Sequence, residues 1–92
     1  MNRPEKVISI LAKLLGVNNP DVRHIKYANE HKEFKNLTAI CLRIFCDMSL
    51  SDMTKEFRGH TSSTIGNYAK EGYKSLSEDK TLFNQIVSGL SS

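Results

Sequence analysis

Hydrophobic residues in the first half of the chain recur at the spacing of two amphipathic helices. Within the range 4–15 they follow intervals of three and four, and Gly16 is a typical stop signal. Asn2 stands just before this range and is predicted to cap the helix. A second range, 33–48, repeats intervals of three and one, which predicts a helix with a wide buried face.

Three further helices are predicted in the second half, over the ranges 49–59, 61–76 and 78–88. Ser49 and Asp52 stand at capping-box spacing at the start of the first. Thr61 or Ser62 caps the second, and Ser77 caps the third. Each of the ranges 49–59 and 78–88 ends at or just before a glycine, the usual residue after a helix.

The predicted helix 61–76 contains two glycines, Gly66 and Gly72. Each weakens an isolated helix by up to about 1 kcal/mol relative to alanine. A closely packed neighbour would explain why glycine stands there. Tyr68 and Tyr73 on the same helix are expected to be half-buried.

Together these elements predict an all-α fold, a compact bundle of five to six short helices containing a helix-turn-helix. A helical turn at residues 21–24 would supply the sixth element. The length of 92 residues is enough for one domain spanning 1–92. The predicted core consists of Leu11, Leu14, Ile40, Ile44, Phe45, Met53, Phe57, Ile65 and Leu82.

Charge makes this bundle a mildly basic one. The formal net charge is +3 and the sequence pI is about 9.0, which fits a polyanionic partner. The stretch 23–35 concentrates basic or potentially basic residues beside Tyr27. These residues are Arg23, His24, Lys26, His31, Lys32 and Lys35. Of these, Arg23, Lys26, Lys32 and Lys35 are interpreted either as phosphate contacts or as an ordinary solvated face, whereas His24 and His31 are expected to be surface residues of a basic loop and not metal ligands.

Other classes of protein have little support in the sequence. No apolar run approaches the ~20 residues that cross a bilayer, and the N-terminus lacks a signal-type stretch, so a cytoplasmic location without membrane contact is expected. Cys41 and Cys46 are expected to be reduced, buried core residues. No metal-ligand set, acid–base pair or activated nucleophile can be assembled, so we expect no enzyme, cofactor or small-molecule substrate.

The pattern of residues 49–73 is typical of a helix-turn-helix motif. A short helix is followed by a Gly-containing turn, and a second helix then opens with small hydroxyl residues. Such residues let the backbone approach phosphates, and the free amides of a helix start favour anions. Their hydroxyl and methyl groups can also contact base edges. Lys70 and Lys74, one turn apart further along the second helix, stand where backbone contact is possible.

This segment resembles the C-terminal DNA-binding domain of the bacterial chromosomal replication initiator DnaA. Residues 49–53 read Ser-Leu-Ser-Asp-Met where the family has Ser-Leu-Pro-Glu-Ile. Residues 57–65 read Phe-Arg-Gly-His-Thr-Ser-Ser-Thr-Ile where the family has Phe-Gly-Gly-Arg-Asp-His-Thr-Thr-Val. The basic stretch 23–35 and the terminal range 78–92 also match in position, so the resemblance covers most of the chain.

The resemblance implies a basic loop on the minor groove and a recognition helix in the major groove. Thr64 is identical to the family, whereas Ser62 stands at its base-reading histidine and Thr61 at its aspartate. Tyr27 stands at the position of its minor-groove arginine. No Gly-Lys-Ser/Thr phosphate loop is present, so the family's ATPase module has no counterpart here.

The function predicted from sequence is sequence-preferring binding of double-stranded DNA, at replication-origin-like or regulatory sites. The predicted DNA-binding residues are Arg23, Lys26, Tyr27, Lys35, Arg58, His60, Thr61, Ser62, Ser63, Thr64 and Asn67. The alternative is a protein-interaction module on the same fold that has lost DNA binding, with a partner in replication or regulation.

Overall fold

Helices are the only regular secondary structure in the described part of the chain. In this computed structural model the described residues are 2–17, 32–55, 57 and 60–91. They form five helices: α1 Pro4–Leu15, α2 Lys32–Phe45, α3 Leu50–Met53, α4 Ser62–Glu78 and α5 Lys80–Ser91. The predicted all-α bundle is therefore confirmed for this part of the chain, while the helical turn predicted at 21–24 lies outside the described residues.

Helix α2 is the central element of the bundle. Nine consecutive residues, 34–42, are buried, and because they span more than two turns, every side of this helix is covered. Helices α1, α3 and α4 all pack against it. Its sequence predicted one wide buried face, but its middle has no exposed face at all.

The closest packing in the bundle joins α2 to α4 at Gly72. A Cβ atom added to this glycine would overlap the backbone carbonyl of Asn36 and would lie 2.7 Å from Ile40 Cγ2. Only a residue without a side chain allows the two helix backbones to approach so closely. This contact confirms the prediction that a closely packed neighbour explains the glycine inside the helix.

Helices α1 and α5 complete the bundle. The Lys6 ammonium donates a hydrogen bond of 3.0 Å to the carbonyl of Leu90, joining the start of α1 to the end of α5. Phe83 on α5 stacks on Phe45 of α2, with ring centroids 6.2 Å apart. Ile10 on α1 lies so close to Gly89 that an added Cβ would be 3.1 Å from its Cγ2.

Local signals set several helix ends as predicted. Gly16 adopts the left-handed conformation with φ 71° and ends α1. At α3 the capping box is complete, since Asp52 N donates to Ser49 Oγ and Ser49 N donates to Asp52 Oδ2. Thr61 caps α4. The prediction that Asn2 caps α1 is wrong. Arg3 holds the N-cap position, and its side chain makes no capping hydrogen bond.

Helices α2 and α3 are both shorter than predicted. Helix α2 ends at Phe45 because Asp47 adopts a positive φ of 53°, which an α-helix does not accommodate. Helix α3 is a single turn. After this turn the amides of Thr54 and Lys55 donate to carbonyls three residues back, at Ser51 and Asp52, and the Thr54 hydroxyl also donates to the Ser51 carbonyl at 2.6 Å.

The boundary between α4 and α5 also differs from the prediction. Helix α4 continues past Ser77, whose hydroxyl donates to the carbonyl of Tyr73 and so caps nothing. Asp79 takes the capping role, because its Oδ1 accepts from the amide of Leu82. Gly89 does not stop α5, since its contact with Ile10 keeps it inside a helix that reaches residue 91.

The predicted core is largely confirmed. Leu11, Ile40, Met53, Phe57 and Ile65 are buried. Two other predicted members, Phe45 and Leu82, are half-buried against this core. For the remaining two, Leu14 and Ile44, the prediction of burial is wrong. Their side chains are 39% and 48% exposed, near the ends of their helices.

Both cysteines are buried and neither forms a disulfide bond, as predicted. Burial raises the pKa of the Cys41 thiol to about 12, and neighbouring Cys46 contributes to the rise. The thiolate, which is the reactive form, is therefore scarce at neutral pH.

The Gly72 contact can be tested with a matched pair of alanine substitutions. We expect Gly72→Ala to lower the free energy of unfolding by about 3 kcal/mol, because the new methyl group displaces α2 from α4. Gly66→Ala on the same helix meets only Leu50 Cδ1, at an ordinary 3.5 Å, and should be neutral or raise stability by up to about 1 kcal/mol. Urea unfolding measures both, and equal effects would contradict the close contact.

Candidate nucleic-acid interface

The start of α4 presents hydroxyl groups and free backbone amides. Thr61 Oγ1 accepts from the amide of Thr64 at 3.2 Å and lies 3.0 Å from the Thr64 hydroxyl, so these two side chains satisfy each other. Ser62 and Ser63 between them are exposed. The first amides of a helix lack intrahelical acceptors and carry partial positive charge, so this end of α4 favours an anion.

A polar stripe runs along α4 from this end. It consists of Ser63, Asn67, Lys70 and Lys74, and we call these four residues the α4 stripe. Their spacing of four, three and four places them on one side of the helix, and all four are exposed. The opposite side carries the buried residues of α4, which are Ile65, Ala69, Gly72 and Leu76.

The α4 stripe combines two kinds of chemistry. Ser63 and Asn67 offer a hydroxyl and an amide, groups that hydrogen-bond base edges. Lys70 and Lys74 offer ammonium groups that bind phosphates. Both lysines are exposed, and within the described ranges neither forms an ion pair.

An aromatic cluster joins two residues that precede α4 to a residue on the helix itself. The rings of Phe57, His60 and Tyr68 pack with centroids 5.7 to 6.2 Å apart. Phe57 is fully buried, and the other two are half-buried. His60 Nδ1 is buried and has no hydrogen-bond partner in the part of the chain that the structure describes, so the imidazole packs in the cluster and is not a free surface group.

Lys35, which was predicted to contact DNA, is buried. It is only 1% exposed, its Nζ has no hydrogen-bond partner among the described residues, and that atom lies 5.9 Å from the centroid of the Tyr68 ring. Burial lowers the pKa of this ammonium group below its usual value of 10.5. In this conformation Lys35 lies inside the bundle, behind the aromatic cluster, and does not reach a phosphate on the surface.

The structure brings part of the predicted site together at one end of α4. Thr61, Ser62, Ser63 and Asn67 are exposed there, and Thr64 and His60 are half-buried. The predicted contacts Arg23, Lys26, Tyr27 and Arg58 lie outside the described residues.

One cation near this surface was not apparent from the sequence. Arg43 at the end of α2 is exposed and lines a shallow groove with Lys70 of α4. Twenty-seven positions separate the two residues, so no local spacing relates them. Only the packing of α2 against α4 brings their charges to one surface.

The chain matches no protein-family model, no curated protein and no solved structure. No helix in the described part of the chain is long and apolar enough to cross a membrane. Among the same residues, no three His, Cys, Asp or Glu side chains are grouped to hold a metal ion.

The buried Lys35 ammonium predicts an unusual gain on substitution. Lys35→Met keeps the length of the side chain and removes a charge without a hydrogen-bond partner, so it should raise the free energy of unfolding by about 1–2 kcal/mol at neutral pH. Lys32→Met, an exposed lysine one turn earlier, is the control and should change it little.

The pH dependence provides a second check. Because the folded pKa of Lys35 lies below 10.5, the unfolded chain binds this proton more tightly than the folded chain. The advantage of Lys35→Met should therefore be complete below the folded pKa and shrink as the pH rises from it towards 10.5. Urea unfolding across the alkaline range measures this. A loss of stability in Lys35→Met would show that the ammonium has a stabilising partner.

Proposed function

We propose that this protein binds double-stranded DNA, with a preference for particular sequences, by placing the start of α4 in the major groove. The observation that carries the proposal is the α4 stripe, a row of polar and cationic side chains opposite a fully packed face. The free amides at the same end of the helix add a second attraction for phosphate.

Each part of the helix-turn-helix has a role in this proposal. The major groove, about 12 Å wide, admits one α-helix. Helix α3 braces α4, and its capping box and the aromatic cluster at Phe57 keep the turn in place. Lys70 and Lys74 would hold the phosphate backbone. Ser63 and Asn67 would contact base edges, where a bidentate Asn–adenine pair discriminates by about 1–3 kcal/mol.

The resemblance of residues 49–53 and 57–65 to the DNA-binding domain of DnaA supports the same docking mode. It suggests a role at replication-origin-like or regulatory sites in the cytoplasm, without catalysis or a cofactor. Because Ser62 replaces the histidine that reads bases in that family, the preferred DNA sequence is expected to differ. Selection of binding sites from random duplexes, with the whole chain, would identify it.

Two acidic substitutions test the α4 stripe. Asn67→Glu and Ser63→Glu should each lower the affinity for duplex DNA at least about tenfold, since a carboxylate would face the groove and its phosphates. Both sites are exposed, and at Ser63 a carboxylate in the first turn also suits the helix dipole, so the melting temperature should hold. Fluorescence anisotropy with a labelled duplex measures the affinity.

Asn84→Glu is the matched control, because it makes the same chemical change at an exposed position on α5. It should alter the affinity less than about twofold at moderate salt. Binding by the wild type should also weaken steeply with salt, with a slope of about −0.9 per phosphate contact in a plot of log K against log salt. Salt-independent binding, or none at low salt, would overturn the proposal.

A further inference from the structure

A groove of about 280 Å³ lies between α2 and α4, with α3 at one end. Ile40, Leu50 and Tyr73 supply apolar and aromatic walls, and Gly66 leaves the floor open on the α4 side. The groove therefore has room for one or two side chains of another molecule. It lies beside the α4 stripe and shares only Lys70 with it.

Of the two most exposed large hydrophobic side chains in the described part of the chain, one lines this groove and the other lies on α2 one turn beyond a groove residue. Tyr73, which lines it, is 63% exposed, so the expectation that this residue is half-buried is wrong. Ile44 is 48% exposed and follows Ile40, a groove residue, by one turn of α2. Burying one such side chain contributes about 1.5–3 kcal/mol, which neither residue obtains within its own fold.

The charged side chains that line the groove among the described residues are both cationic. Arg43 and Lys70 line it from the two helices, and no described carboxylate does so. Neither cation forms an ion pair with a residue in the described ranges. Tyrosine and arginine are also the residue types that contribute most often to protein–protein binding energy.

We propose that this groove binds an acidic amphipathic helix of a partner protein. Such a helix carries apolar side chains at positions i, i+4 and i+7, which would cover Ile44, Leu50 and Tyr73. Carboxylates on its flanks would pair with Arg43 and Lys70. This charge complementarity selects the occupant, because an uncharged or basic helix would leave both cations without a counter-charge.

The test is an NMR titration of the ¹⁵N-labelled chain with a synthetic helical peptide about 18 residues long. The peptide has leucine and phenylalanine on one face and glutamate on both flanks. One control peptide has the same composition in shuffled order, and another has lysine in place of glutamate. We expect saturable shifts of the Arg43, Gly66 and Tyr73 amides with the acidic amphipathic peptide, and much weaker effects with both controls.

Substitutions then assign the binding to the groove. Ile44→Ser and Tyr73→Ser should each weaken peptide binding about tenfold, equivalent to about 1.4 kcal/mol. The matched controls are Leu14→Ser and Val87→Ser, which are exposed hydrophobic residues outside the groove. Because all four side chains are already exposed, the variants are expected to fold, and thermal unfolding checks this.

A charge exchange gives a gain-of-binding readout. The double variant Arg43→Glu with Lys70→Glu should no longer bind the acidic peptide. Its affinity for the lysine peptide should be at least about tenfold higher than that of the wild type. A destabilised protein would not acquire such a preference, so this outcome separates recognition from misfolding.

Four outcomes would overturn the proposal. The acidic peptide could fail to shift the groove amides at millimolar concentration, or the shuffled peptide could match it. The same amides could shift with protein concentration alone, which would assign the groove to a second copy of the chain. Finally, duplex DNA could shift these amides while the peptide does not, which would assign Arg43 and Lys70 to DNA.

Discussion

The contact between α2 and α4 at Gly72 is the constraint on which the rest of the structure depends. The carbonyl of Asn36 occupies the space where a side chain at this position would stand. Glycine at this position lowers the intrinsic stability of helix α4 by up to about 1 kcal/mol relative to alanine. Its lack of a side chain lets the two longest of the described helices pack backbone to backbone. This contact sets the rotation of α4, so it decides that Ile65 faces inward and that Asn67 faces solvent.

The central position of α2 follows from that contact and has a cost. A helix covered on every side must bury whatever its sequence carries, including Lys35, Asn36 and Thr38, each with a buried polar atom that lacks a hydrogen-bond partner. The α4 stripe and the neighbouring groove arise from the same arrangement. Helix α4 turns its apolar side to α2 and its polar side to solvent, and the edge between them, which carries Tyr73, lies next to Arg43 of α2.

Much of the fold could be predicted from the sequence, because the signals that define it are local. The range of α1 is correct to the residue, and the capping box at Ser49 and the cap at Thr61 each span only three positions. Errors occur where a distant contact or an unusual φ overrides the local pattern, as at Gly89 and Asp47. For the candidate site, the exposed start of α4 could be predicted from its hydroxyl run, whereas the burial of Lys35 could not. The likeness to DnaA remains a prediction.

The sequence by itself determined the helical class, most helix starts and the hydroxyl-rich opening of α4, since periodicity and capping act within one or two turns of chain. Only the tertiary structure decided which charged and aromatic side chains remain accessible. It buried Lys35, exposed Ile44 and Tyr73, and brought Arg43 to Lys70 across 27 positions. The reason is that burial depends on which helices pack together, and in this protein that depends on the close approach of α2 and α4 at Gly72.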